Sequence, residues 1–228
     1  LQSPYEYSTV VSGLSEPVSV VLNEAKSVMY IAERTGNRVR RVFLHVDNTE
    51  SSKEVAVTGI ANVEGLALSK DGSVLYVGQW ANPGSVWRVP LSASGTVVAT
   101  INMKIASGLN HPRGLLLSAD ETLLYVAEDQ AGKVHRYELV SGSYASVTLQ
   151  SDMSRPYGLA LTQGEDKLIV SEFAANTVSY LSPLPAYPSL SPSGQSSQPT
   201  EQGPEIIQAV RAGGSSNDYG YGISALAD

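Results

Sequence analysis

Carboxylates, a guanidinium and aromatic rings recur along this chain at intervals too wide for one helix or hairpin, yet regular enough to mark one structural position. Glu33, Gln79, Glu128 and Glu172 fall 46, 49 and 44 residues apart, and they are followed by Arg34, Trp80, Asp129 and Phe173. A second set, Val18, Glu64, Arg113, Tyr157 and Tyr221, stands directly before a column of small residues, Ser19, Gly65, Gly114, Gly158 and Gly222. If both sets meet at one place, Glu64, Glu128 and Glu172 could ring a hard cation such as calcium, which takes oxygen ligands. In a ligand site, Glu64, Arg113, Glu128, Asp129, Tyr157 and Glu172 would orient a polar molecule beside aromatic groups.

Recurrence also has an architectural explanation. A carboxylate at one place in each repeat can accept backbone amides or an Arg of the same repeat, such as Arg41 or Arg136. Glu64 and Arg113 do not recur, so architecture accounts less well for them. His45, His111 and His135 fall at different repeat positions and form no ligand cluster, with His135 expected at the surface. Trp80 and Trp87 flank a Pro-Gly turn and are expected to pack one repeat against the next. No Ser-His-Asp constellation and no phosphate-cradling Gly loop with a suitable Lys is present.

The elements that must position these residues are strands. Tyr30, Tyr76, Tyr125 and Ile169 share the same spacing, and a repeat of ~40–50 residues signals an array. In the third copy Gly114–Leu117 reads as a buried strand, Ala119-Asp120-Glu121 as a turn and Leu123–Val126 as a second strand. Lys133–Tyr137 alternates as a half-solvated third strand, and Ala145–Leu149 supplies a fourth. Four antiparallel strands per repeat make a β-propeller blade, which must bury both faces against neighbours. The fold class is therefore all-β, a propeller with four complete blades and part of at least one more. Residues 1–228 form a single domain, with a Pro/Ser-rich insertion at 182–204 that holds six of the twelve prolines.

The ends break the pattern. Tyr7–Val11 reads as an outermost strand, Ile206–Val210 as the outermost strand of blade four, and Tyr221–Leu226 echoes Tyr157–Leu161. This leads us to expect a piece of a longer protein, or a partner subunit that completes the ring. An unpaired outermost strand would otherwise leave its backbone groups open.

The run from His111 to Glu128, with Pro112-Arg113-Gly114 before Leu123-Leu124-Tyr125-Val126-Ala127-Glu128, resembles the NHL-repeat propellers and their gluconolactonase-like and strictosidine-synthase-like six-bladed relatives. The resemblance covers Ser12 to Tyr180 and implies a six-bladed ring. For a gluconolactonase-like enzyme it implies calcium held by an early Glu, an Asn after the Pro of a Pro-Asn-Gly turn, and an Asp. Glu16 imitates the first, but Arg113 or Tyr157 stands where the Asn would, and the innermost strands carry no matching Asp. A strictosidine-synthase-like enzyme would use a channel Glu, for which Glu64 or Glu128 is available.

The expected function is a non-catalytic module that presents a loop face to a protein, peptide or glycan. The alternative is a calcium-dependent lactonase or hydrolase. A net charge of -7 disfavours nucleic acid, and no apolar run approaches the ~18 residues of a membrane helix. The acidic charge, the absent initiator Met and the Ser/Thr/Pro-rich insertion favour an extracellular or cell-envelope location.

Overall fold

The computed structural model describes residues 8–92, 96–140, 142–182 and 184, and the backbone of a strand at 205–211. Blade 1 is built from β1 (Pro17–Leu22), β2 (Val28–Glu33), β3 (Arg38–Leu44) and β4 (Glu50–Thr58). Blade 2 is built from β5 (Val63–Leu68), β6 (Val74–Gln79) and β7 (Gly84–Pro90), followed after the short β8 (Val97–Val98) by β9 (Lys104–Leu109). Blade 3 comprises β10 (Pro112–Leu117), β11 (Leu123–Glu128), β12 (Lys133–Glu138) and β13 (Ser146–Gln150). Blade 4 comprises β14 (Pro156–Leu161), β15 (Leu168–Glu172), β16 (Thr177–Ser182) and β17 (Glu205–Arg211). Each blade is an antiparallel meander, as expected of a β-propeller.

Period-two alternation explains why the second strands read as unbroken apolar runs. Leu75 and Val77 of β6 face blade 1, whereas Tyr76 between them faces blade 3. In β11, Leu124 and Val126 face blade 2, and Tyr125 and Ala127 face blade 4. Every interior blade is thus covered on both sides, and three apolar clusters fill the three seams between neighbouring blades.

The innermost strands approach one another most closely at the glycine column. A Cβ added to Gly65 would overlap the Arg113 carbonyl oxygen, and one added to Gly114 would overlap that of Tyr157. Pairing with the second strand also slips here, between Pro17 and Ser19, Val63 and Leu66, Pro112 and Leu115, and Pro156 and Leu159. Such a bulge releases one or two residues from the ladder and re-aims their side chains. The released residues include Val18, Glu64 and Gly65, Arg113 and Gly114, and Tyr157 and Gly158.

Two features depart from the sequence reading. Residues 8–11 of the expected Tyr7–Val11 strand are not extended strand, and Tyr7 lies outside the described residues. Blade 1 has instead a fifth strand, β8, which comes from the blade 2 connection and runs parallel to β4. The Ala99 N–H donates to the Thr58 carbonyl (2.8 Å) and the Thr96 hydroxyl to the Val55 carbonyl (2.7 Å), so this connection covers an edge that would otherwise be open. Ile206–Val210 does form the outer strand of blade 4. Tyr221–Leu226 and most of the 182–204 insertion lie outside the described residues.

At the end of the blades away from the glycine column, carboxylates clasp neighbouring blades. Glu121 of blade 3 accepts the Lys70 N–H of blade 2, and Glu165 of blade 4 accepts the Ala119 N–H of blade 3. The equivalent place in blade 2 is Gly72, which has no carboxylate to offer the first seam.

Gly65→Ala and Gly114→Ala should each cost about 1–3 kcal/mol, since a rigid backbone carbonyl rather than a flexible side chain blocks the new methyl group. Urea unfolding midpoints will show this, and an unchanged midpoint would mean that the innermost strands are farther apart than described.

Candidate binding site at the mouth of the groove

The innermost strands β1, β5, β10 and β14 enclose a groove of about 790 Å³, walled by Val21, Leu66, Leu115 and Leu159 and entered past Glu64, Arg113 and Tyr157. A repeated backbone arrangement shapes its entrance. Glu16, Asn62, His111 and Arg155 each precede an innermost strand with φ of 52°, 50°, 60° and 58°. Their carbonyls accept the N–H of the residue that leaves the second strand: Arg34 (3.0 Å), Trp80 (2.9 Å), Asp129 (3.1 Å) and Phe173 (3.0 Å). This left-handed turn, tolerated best by Asn and His among non-glycine residues, brings the two recurring residue sets to one place.

There the side chains form an alternating ionic ladder across all four blades. Glu16 accepts from Arg34 Nη1 (2.5 Å), and Arg34 grips Glu64 through Nε (2.7 Å) and Nη2 (2.8 Å). Arg113 Nη1 donates to Glu64 Oε1 (3.1 Å), the oxygen that also accepts from Arg34 Nη2, while its Nε lies 2.8 Å from Asp129 Oδ2. Arg155 closes on Asp129 through Nε (2.7 Å) and Nη2 (3.0 Å). Arg113 also donates to the Tyr157 hydroxyl. Three acids and three bases therefore leave the ladder with no net charge.

Aromatic faces interleave with the guanidinium groups. Trp80 lies beneath both Arg34 (5.0 Å) and Arg113 (5.2 Å), with His111 edge-on to it at 4.7 Å. Tyr157 stacks on Arg113 at 4.3 Å, and Phe173 on Arg155 at 4.9 Å. Burial works to lower the Arg34 pKa, but the bonds and charge of Glu64, with Glu16 behind them, hold it above its ordinary value. The Arg155 pKa is raised by its bond to Asp129.

Of the residues singled out from sequence, the structure brings Glu64, Arg113, Asp129 and Tyr157 together. It places Glu128 and Glu172 elsewhere. Glu33, Glu128 and Glu172 accept the backbone N–H of Ser15 (2.7 Å), Asn110 (2.6 Å) and Ser154 (2.8 Å), in each case 18 residues earlier. Each also bonds the side chain seven residues later, Arg40 (2.8 Å), His135 (2.6 Å) and Ser179 (2.5 Å). These glutamates pin the loop that enters their own blade. Among the described residues no three His, Cys, Asp or Glu side chains are grouped so as to hold a metal ion.

The expected partners Arg41 and Arg136 were wrong for a reason of parity. Glu33 pairs with Arg38 across the sheet and Glu128 with Lys133, so Arg40 and His135 share the glutamate's face while Arg41 and Arg136 point to the other. Arg41 instead bonds Glu54 and the Ser92 carbonyl. His135 is not a surface residue, its side chain being only 12% exposed. Trp87 packs into the seam between blades 1 and 2 as expected, whereas Trp80 serves the mouth. Sequence reasoning missed Arg155 altogether. Its place immediately before Pro156, like Glu16 before Pro17 and His111 before Pro112, was the available signal.

The sequence matches no family model and no curated protein. The fold does match solved structures. Nidogen, in its complex with laminin, is 16% identical, with 79% of this chain aligned to 65% of that one at a TM-score of 0.65. The periplasmic gluconolactonase of Pseudomonas aeruginosa is 17% identical over 86% of this chain and 57% of its own, at 0.58. Hydrazine synthase of Kuenenia stuttgartiensis is 19% identical over 78% and 48%, at 0.55. This chain thus spans between about half and two thirds of their length. At such identities the likeness shows the β-propeller fold, and its hosts differ in what they do.

Two outcomes test this geometry. Asp129 is fully buried between two guanidinium groups, so Asp129→Asn should cost about 3–5 kcal/mol in urea unfolding, whereas Glu16→Gln, at the 44% exposed end, should cost less than about 1 kcal/mol. Burial alone would raise the pKa values of Glu33 and Glu128, but both lie below the usual glutamate range. Arg38, the Ser15 N–H and Arg40 lower the first, and His135 and the Asn110 N–H the second. A depressed folded-state value stabilises the fold above the unfolded value of about 4.3 and is lost as pH falls through the folded one. Stability measured downward from pH ~5 should therefore fall less steeply in Glu33→Gln and Glu128→Gln than in the parent.

Proposed function

We propose that this chain is a non-catalytic β-propeller module that presents the mouth of its groove to a protein, peptide or glycan ligand. The observation that carries the reading is the saturation of the ladder. Both carboxylates held at the mouth beside Arg113 are engaged, Glu64 by Arg34 and Arg113, and Asp129 by Arg113 and Arg155. A general base needs a carboxylate free to take a proton, and a calcium site needs several carboxylate oxygens turned toward one point. Here a cation would have to displace guanidinium groups already bonded in forked geometry, so the residues present do not fit calcium.

What the mouth offers is contact surface. Arg, Trp and Tyr are the residue types that dominate binding energy at interfaces, and Arg34, Arg113, Arg155, Trp80, Tyr157 and Phe173 all belong to one stacked network at the mouth. Rigid blades hold them in place, so little ordering entropy opposes association. The complex of nidogen with laminin supports the reading by analogy of fold alone.

Titration with calcium after chelator treatment should give no saturable heat, and a panel of lactones should show no turnover with or without calcium. Calcium binding that disappears in Glu64→Gln, or lactone hydrolysis, would overturn the proposal in favour of a metal-dependent hydrolase. Ligands selected from displayed peptides or a glycan array should bind about tenfold or more weakly to Trp80→Ala.

A further inference from the structure

We infer that the mouth takes an acidic side chain of a peptide or protein ligand on Arg155, beside Phe173. The inference rests on reading the mouth as a binding site and names the chemistry it recognises. The ladder alternates acid and base from Glu16 through Arg34, Glu64, Arg113 and Asp129 to Arg155, and so it is neutral in sum but polar end to end. Among the described residues no acid follows Arg155 at the ladder's basic end. Arg155 spends Nε and Nη2 on Asp129, and among the described residues Nη1 has no acceptor.

Exposure sets Arg155 apart from the other two bases. Its side chain is 40% exposed, against 16% for Arg34 and 10% for Arg113. Phe173, 48% exposed, lies under the guanidinium and 6.0 Å from the Tyr157 ring, which leaves an aromatic wall beside the open donor edge. Asp129 already fixes the guanidinium plane, so an incoming carboxylate meets a donor whose rotamer is set. It would continue the alternation as the next acid. The net charge of -7 repels acidic ligands at long range, so recognition depends on these short-range bonds rather than on the overall field.

A library of random linear peptides displayed on phage, panned against the full chain, tests this. The parent should select peptides carrying Asp or Glu. Arg155→Gln should lose that bias and bind the selected peptides about tenfold more weakly, and Arg155→Glu should select Lys- or Arg-bearing peptides instead. Thermal melts accompany each variant, and Arg155→Gln, which adds no charge beside Asp129, decides the matter if Arg155→Glu does not fold. Peptides whose binding needs Trp80 but whose composition is the same on the parent and on Arg155→Gln would overturn the inference while leaving the binding reading intact. The absence of any Trp80-dependent peptide or glycan would overturn both.

Discussion

The approach of the innermost strands at the glycine column is the constraint on which the rest of this structure depends. Where the Arg113 carbonyl lies against Gly65 and the Tyr157 carbonyl against Gly114, no side chain fits, and the strands leave register with their neighbours. The residue before each glycine is thereby freed from the ladder of backbone bonds and carried to the mouth. Close packing of backbone and placement of Glu64, Arg113 and Tyr157 are thus one event. Without the bulge, the alternation of a regular strand would send those side chains into the seams between blades.

Once gathered, the charged groups stabilise one another in a setting that neither alone could occupy. Asp129 is fully buried, and an isolated carboxylate there would be costly. Two guanidinium groups offset that cost, and each is in turn shared with a second partner or stacked on a ring. The ladder joins blade to blade at one end while the Glu121 and Glu165 clasps do so at the other, and apolar seams fill the space between. Such buried pairs confer definite geometry more readily than net stability.

The repeated glutamates show how one residue position can recur for an architectural reason. Glu33, Glu128 and Glu172 hold the entering loop of their own blade, and their partners differ as Arg40, His135 and Ser179. The shared element is the backbone N–H 18 residues earlier, which any carboxylate at that place can accept. The residues that do not recur, Glu64, Arg113 and Asp129, are those that meet at the mouth.

The sequence by itself determined the propeller blades, their four strands and the column of small residues, because burial on both faces imposes apolar runs at regular spacing and close backbone approach imposes glycine. It also marked Glu64, Arg113, Asp129 and Tyr157, since substitution within a repeat stands out against its copies. Only the tertiary structure decided which carboxylates meet. Sheet parity directs Glu128 and Glu172 to their own loops, and the left-handed turns at Glu16 and Arg155 carry both residues into the ladder at the mouth. The fifth strand of blade 1 was equally hidden, because β8 is two residues long and acquires its identity only from the β4 edge it covers. Contacts of this kind join residues distant in sequence through backbone geometry, and no local pattern of residue types encodes them.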